Sequence, residues 1–151
     1  MTSFPVLAKE RGFTILEMVV TMGIMAVVLG IAVANIKKFD DPLNDASNQV
    51  VGFFKQARAK AISTTSAYTV YPISATKLGT KYAAKCTDTV TTNDAAFFLN
   101  FPTGSHLNAT NWTLCYSARG LPDGNLTIDL RNANNQTKTV QVYLGGGARA
   151  Y

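Results

Sequence analysis

The chain has 151 residues, 47% hydrophobic and 15% charged, and its 14 Lys and Arg against 9 Asp and Glu leave a formal net charge of +5. That length bounds it to one small domain with a modest core. Two cysteines and a single histidine, His106, do not supply a zinc ligand set, and no Ser/His/Asp order or phosphate-binding loop is present, so the chain reads as neither a metalloprotein nor an enzyme and implies no cofactor.

The first twelve residues form a short charged head, Lys9-Glu10-Arg11-Gly12, and an almost uninterrupted apolar run follows over 13–36. Glu17 is the only charge in those 24 positions. As a helix the run would span about 36 Å, enough for a bilayer core of about 30 Å. A carboxylate inside such a segment costs about 2.5–3.5 kcal/mol on insertion scales, which points to a function and to a partner that answers the charge. An ordinary secretory signal places its cut site after the apolar run and discards it. Here the small residue, Gly12, precedes the run, so the helix would be kept.

This arrangement closely resembles the class III signal of type IV pilins and pseudopilins. The resemblance implies cleavage after Gly12 by a prepilin peptidase, N-methylation of the new terminal Phe13, and a filament-assembly role for Glu17. Cleavage would free an ammonium on Phe13 one helical turn from Glu17, which that carboxylate could neutralise in its own chain or a neighbour. The resemblance also places residues 1–12 in the cytoplasm and the rest of the chain across a bacterial inner membrane.

Farther along, Lys37 and Lys38 follow the apolar run. Pro42, lacking an N–H, should kink or restart the helix, and Asp40 and Asp41 are N-cap candidates. From 43 to about 64, Leu43, Ala46, Val50, Phe54, Ala57 and Ala61 recur at the spacing of one helical face. One long helix is therefore expected, apolar all round in its first half and apolar on one stripe in its second. After residue 66 the period becomes two. Tyr68 and Val70 begin a strand, and 95–101, 111–116, 126–130 and 139–144 are further candidates, separated by turn chemistry at 102–104, 121–124 and 132–135. Residues 87–94 and His106 read as loop.

An exported domain meets an oxidising compartment, so the resemblance favours a Cys86–Cys115 disulfide; two buried free thiols are the alternative. The C-terminal third looks like the tail of the GspH/FimT branch, with an aromatic strand, Gly120, a hairpin, and the closing stretch Gly145-Gly146-Gly147-Ala148-Arg149. Some FimT-type pilins contact DNA through a basic Gly-Arg-x-Arg loop. Here Ala148 follows Gly147 and only Arg149 remains of the pair. If DNA is bound, Arg119, Arg131, Lys138 and Arg149 are the candidate phosphate contacts, with Tyr143 and Tyr151 available for stacking; solvated edge charges are the alternative.

The expected fold is α+β: a long N-terminal helix, transmembrane first and amphipathic second, packed on an antiparallel β-sheet domain. The expected division is a leader at 1–12, a membrane and filament-core helix at 13–36, an amphipathic half at 37–65 and a β domain at 66–151. The function implied is a minor pilin or pseudopilin, a structural subunit of a type IV pilus linked to DNA uptake; a type II secretion pseudopilin and a DNA-binding receptor subunit are the alternatives. The implied partners are other pilin subunits, prepilin peptidase, the inner membrane and DNA.

Overall fold

The computed structural model describes residues 13–36 and 41–151, with the side chains of 32–36 outside the description. The expectations for Gly12, Lys37, Lys38 and Asp40 therefore lie outside the described residues. The chain forms two units, divided between Asp40 and Asp41.

The first unit contains helix α1 (Ile15–Ile36). Helix α2 (Pro42–Ser63) opens the second. Its start follows from local chemistry: the Asp41 side chain accepts a hydrogen bond from the Asn44 N–H at 3.1 Å, and Pro42 sits in the first turn, where a missing N–H leaves no bond unmade. Its end is a reverse turn in which the Thr65 N–H donates to the Ile62 carbonyl and the Ser66 N–H to the Ala61 carbonyl. Thr65 takes a left-handed φ of 52° to make it.

Eight strands follow: β1 (Ala67–Ser74), β2 (Lys77–Ala83), β3 (Thr92–Asn100), β4 (Ser105–Leu107), β5 (Leu114–Tyr116), β6 (Leu126–Asn132), β7 (Thr137–Val142) and β8 (Ala148–Ala150). They pair antiparallel into two four-stranded sheets, ordered β3-β2-β1-β5 and β4-β6-β7-β8. The expected antiparallel β domain is thus built as two sheets. Strands β2, β4 and β8 were not anticipated, and His106 lies on β4 rather than in a loop. Residues 111–113 are not strand, whereas 92–94 belong to β3.

Both sheets rest on α2. Every residue of the predicted stripe is buried, joined by Ser47 and Phe53. On the first sheet the stripe meets Tyr68, Val70, Leu78, Leu114 and Tyr116; on the second it meets Leu107, Ile128, Leu130, Val140 and Val142. Ring pairs fasten the helix further, Phe53 to Phe97 at 4.6 Å and Phe54 to Trp112 at 6.2 Å between centroids. Lys60 on the helix reaches Asp94 on β3 at 2.6 Å, and this ammonium holds the Asp94 carboxyl below its ordinary range.

Cys86, in the loop after β2, is disulfide-bonded to Cys115 on β5, with Cα atoms 5.7 Å apart. Three-residue β5 pairs only with β1 within the sheet, so the bridge ties a short edge strand to the opposite side of its neighbour. A cross-link over 29 residues of sequence contributes about 3–4 kcal/mol in the chain-entropy account.

Candidate functional site

The start of α1 is built by two side chains. The Thr14 hydroxyl accepts from the Glu17 N–H at 3.2 Å, and the Glu17 carboxylate reaches back to the Thr14 N–H at 3.5 Å. This is a reciprocal cap: Thr14 precedes the first helical residue and Glu17 is the third within it. Glu17 is therefore more than a lone acid in an apolar run, since it satisfies a backbone donor that the helix leaves open. The Thr14-x-x-Glu17 spacing carries that signal in the sequence.

Phe13 before the cap and the described side chains of α1 beyond it are exposed on every side, from Ile15 through Val20, Met25 and Ile31. A helix apolar all round does not persist as a surface helix in water; it is covered by lipid or by other helices. Among the described residues no helix is long and apolar enough to cross a membrane. The crossing length read from the sequence depends in part on 32–36, whose side chains are not among those described.

The four candidate DNA contacts are dispersed. Lys138 pairs in register with buried Leu130, so it points to the α2 side of the second sheet, where its ammonium donates to the Asn44 side-chain oxygen at 2.6 Å. Arg131 and Arg149 lie on the opposite, outer face of that sheet. Gln141, the partner of Arg149, is paired with Thr127, four residues from Arg131 along β6. That offset is about 13 Å at about 3.3 Å per residue. The Arg131 Nε is buried without a hydrogen-bond partner, and the Arg149 guanidinium sits 5.1 Å from the Tyr151 ring centroid. The Tyr143 and Tyr151 hydroxyls bond to each other, which pushes the Tyr143 hydroxyl upward from its ordinary pKa.

Arg119 is exposed on the loop after β5, and that loop is held by a residue sequence reading did not single out. Arg58 of α2 donates from Nε to the Gly120 carbonyl at 3.0 Å and from Nη1 to the Gly146 carbonyl at 3.5 Å. It thereby clasps two glycine turns, whose φ angles are +74° and +79°, to one helix. A Cβ on Gly146 would lie 2.6 Å from the Gly120 carbonyl oxygen, so the clasp requires glycine there.

A family model described as the prokaryotic N-terminal methylation motif matches residues 7–33. No curated protein matches the chain. Among solved structures, the type IV minor pilin FimU of Pseudomonas aeruginosa aligns with a TM-score of 0.55 at 11% identity, covering 72% of this chain and 87% of FimU. A second crystal form of FimU gives 0.54 at 13% identity, covering 72% and 92%. The minor pseudopilin EpsH from the type 2 secretion system of Vibrio cholerae aligns with 0.52 at 13% identity, covering 74% of this chain and 97% of EpsH. At such identities the likeness establishes the fold: this is the α+β pilin fold.

Proposed function

We propose that this type IV pilin-like chain, which carries the N-methylation motif and the pilin fold, works as a minor pilin of a type IV pilus. A pilin-like protein is structural, not an enzyme. Motifs of this kind imply prepilin peptidase processing, inner-membrane anchoring and assembly with other pilins. The observation that carries the proposal is the coincidence of the 7–33 motif with a helix exposing apolar side chains all round and capped by its single described acid. In this reading the peptidase cuts after Gly12, Phe13 is methylated, and α1 first anchors the chain and then packs among sister helices. The β domain stands outside the cytoplasm, where the Cys86–Cys115 bridge is stable.

Two experiments test it. N-terminal sequencing of the membrane-extracted protein should begin at methylated Phe13, and Gly12→Ala should retain the leader. A native chain that keeps its first dozen residues overturns the proposal. Glu17→Gln keeps the reciprocal cap, which accepts Gln as well as Glu, yet removes the charge. It should insert in the membrane and drop out of sheared filaments, whereas recovery at wild-type levels would show that the cap alone is what Glu17 provides.

A second reading, a pseudopilin of a type II secretion system, is supported by the near-equal likeness to EpsH. A deletion strain separates the two by losing twitching or transformation in one case and exoprotein secretion in the other. A receptor role for DNA at the second sheet would rest on Arg131 and Arg149, which share its outer face, and on Arg119; Lys138 is already engaged by Asn44.

A further inference from the structure

The edges of the two sheets are not alike. Strands β4, β5 and β8 stand at three of them and are three residues long each, and so short an edge offers little to a foreign strand. The fourth edge is β3, with nine residues. Half of β3 is protected in another way. Its partners on β2 jump from Gly79 opposite Phe98 to Lys81 opposite Asn93, so Asp94, Ala95 and Ala96 bulge out of the ladder. A bulge that carries a charge spoils an edge for pairing. The half from Phe97 to Asn100 has neither device, and no residue from 95 to 105 is charged.

Hydrogen bonds fix which way that half points. The Phe101 N–H donates to the Thr76 carbonyl at 2.9 Å, and the Phe97 carbonyl accepts from the Thr80 hydroxyl at 2.8 Å. Main-chain groups alternate sides along a strand, so those of Phe98 and Asn100 point away from β2. They have no partner among the described residues. Phe97, Leu99 and Phe101 turn their side chains towards the core, yet each is only partly buried. A groove of about 430 Å³ runs beside them, between β3 and α2, and no charged residue lines it. Its helix wall includes Gly52, where an added Cβ would find no heavy atom within 4 Å.

Unpaired donors and acceptors in a row select an extended strand as occupant. Self-complementarity selects which one. Antiparallel pairing of this edge with itself about Leu99 sets Phe98 opposite Asn100 of the second copy, and Asn100 opposite its Phe98. These are the residues whose main-chain groups point outward in both chains, so each such pair exchanges two hydrogen bonds. On the inner face, Phe97 then meets Phe101 of the second copy, and Leu99 meets Leu99. The partly exposed apolar row of one chain is thereby covered by the same row of the other. Asp94, the nearest charge, is already answered by Lys60 at 2.6 Å, so no uncompensated like charges oppose.

We propose that two copies of this chain join edge to edge through Phe97–Asn100 of β3, antiparallel about Leu99, and so merge two four-stranded sheets into one continuous sheet. The proposal goes beyond filament membership and does not depend on it.

The test uses the full chain in density-matched detergent micelles, with sedimentation equilibrium over a range of protein concentrations. The wild type should be a dimer that dissociates on dilution. Asn100→Pro removes an outward N–H that no internal bond uses, and proline is tolerated on an edge strand. It should weaken the dimer about tenfold or more, through two lost hydrogen bonds per pair of chains, with an unchanged thermal melt. A second measurement stands even if that variant fails to fold. Leu99 and its counterpart form a non-hydrogen-bonded pair with Cα atoms about 4.5 Å apart, within disulfide reach. Leu99→Cys should therefore give a covalent dimer in oxidised membranes, whereas Val90→Cys, on a residue 84% exposed outside the seam, should not. A wild type that is monomeric at every concentration overturns the proposal. So does a dimer that a folded Asn100→Pro leaves intact, which would place the association in α1 or on another surface. Cross-linking at Val90→Cys as strong as at Leu99→Cys would overturn it equally.

Discussion

Tyr116 shows how a single group sets pH behaviour. It is fully buried against α2, and its hydroxyl has no hydrogen-bond partner. Burial pushes its pKa up to about 12, with the nearby Arg58 charge pulling the other way. The sign follows from linkage: the folded state holds the proton more tightly than the unfolded chain, so the contribution is complete below pH 10 and is lost as pH rises from 10 towards 12. Tyr116→Phe removes both the orphan hydroxyl and this titration. At pH 7 the variant should be more stable by about 1 kcal/mol, and its melting temperature should fall less than wild type between pH 10 and 12. A variant destabilised at pH 7 would mean that the hydroxyl is paired. Asp94 acts at the other end of the scale. Its lowered pKa means that its contribution is present above about 3.8 and disappears as pH falls below that value.

The ends of the helices hold the clearest element-level consequences. The turn that closes α2 needs a left-handed residue, and Thr65, a β-branched residue, fills that place at φ 52°. A left-handed L-residue costs about 1–2 kcal/mol, and glycine avoids that cost. Thr65→Gly should therefore stabilise the domain by about 1 kcal/mol in urea unfolding; an unchanged or lower midpoint would show that Thr65 makes a compensating contact. The α2 stripe was legible in the sequence because 3.6-residue periodicity fixes which side chains share a face. Its N-terminus was legible too, since Asp41 and Pro42 each suit one position of a helix start. Strand β2 was not legible: Lys77-Leu78-Gly79-Thr80-Lys81 puts a glycine and two lysines on the outer face, so apolar alternation is absent. Strands β4 and β8 are three residues long, shorter than any period can reveal. At the candidate site, the resemblance at Gly12, Phe13 and Glu17 was open to reading, whereas the Arg58 clasp was not. It joins Arg58 to Gly120 and Gly146, 62 and 88 residues away in the chain, and no local pattern encodes that.

For the whole molecule, the disulfide and the central helix govern cohesion. Replacing the bridge with Cys86→Ser and Cys115→Ala should cost about 2–4 kcal/mol and lower the melting temperature on the order of 10–20 °C. A shift of a degree or two would show that β5 holds its place by burial alone. The division into two sheets has its own logic. Strand pairing stays within each sheet, and both apolar faces converge on α2. Remove the helix and each sheet is left with one greasy side facing water; remove either sheet and half the helix is stripped. Neither half has a resting state of its own. The domain is therefore built to melt in a single step, and a subunit pulled lengthwise should hold until α2 yields and then give way all at once.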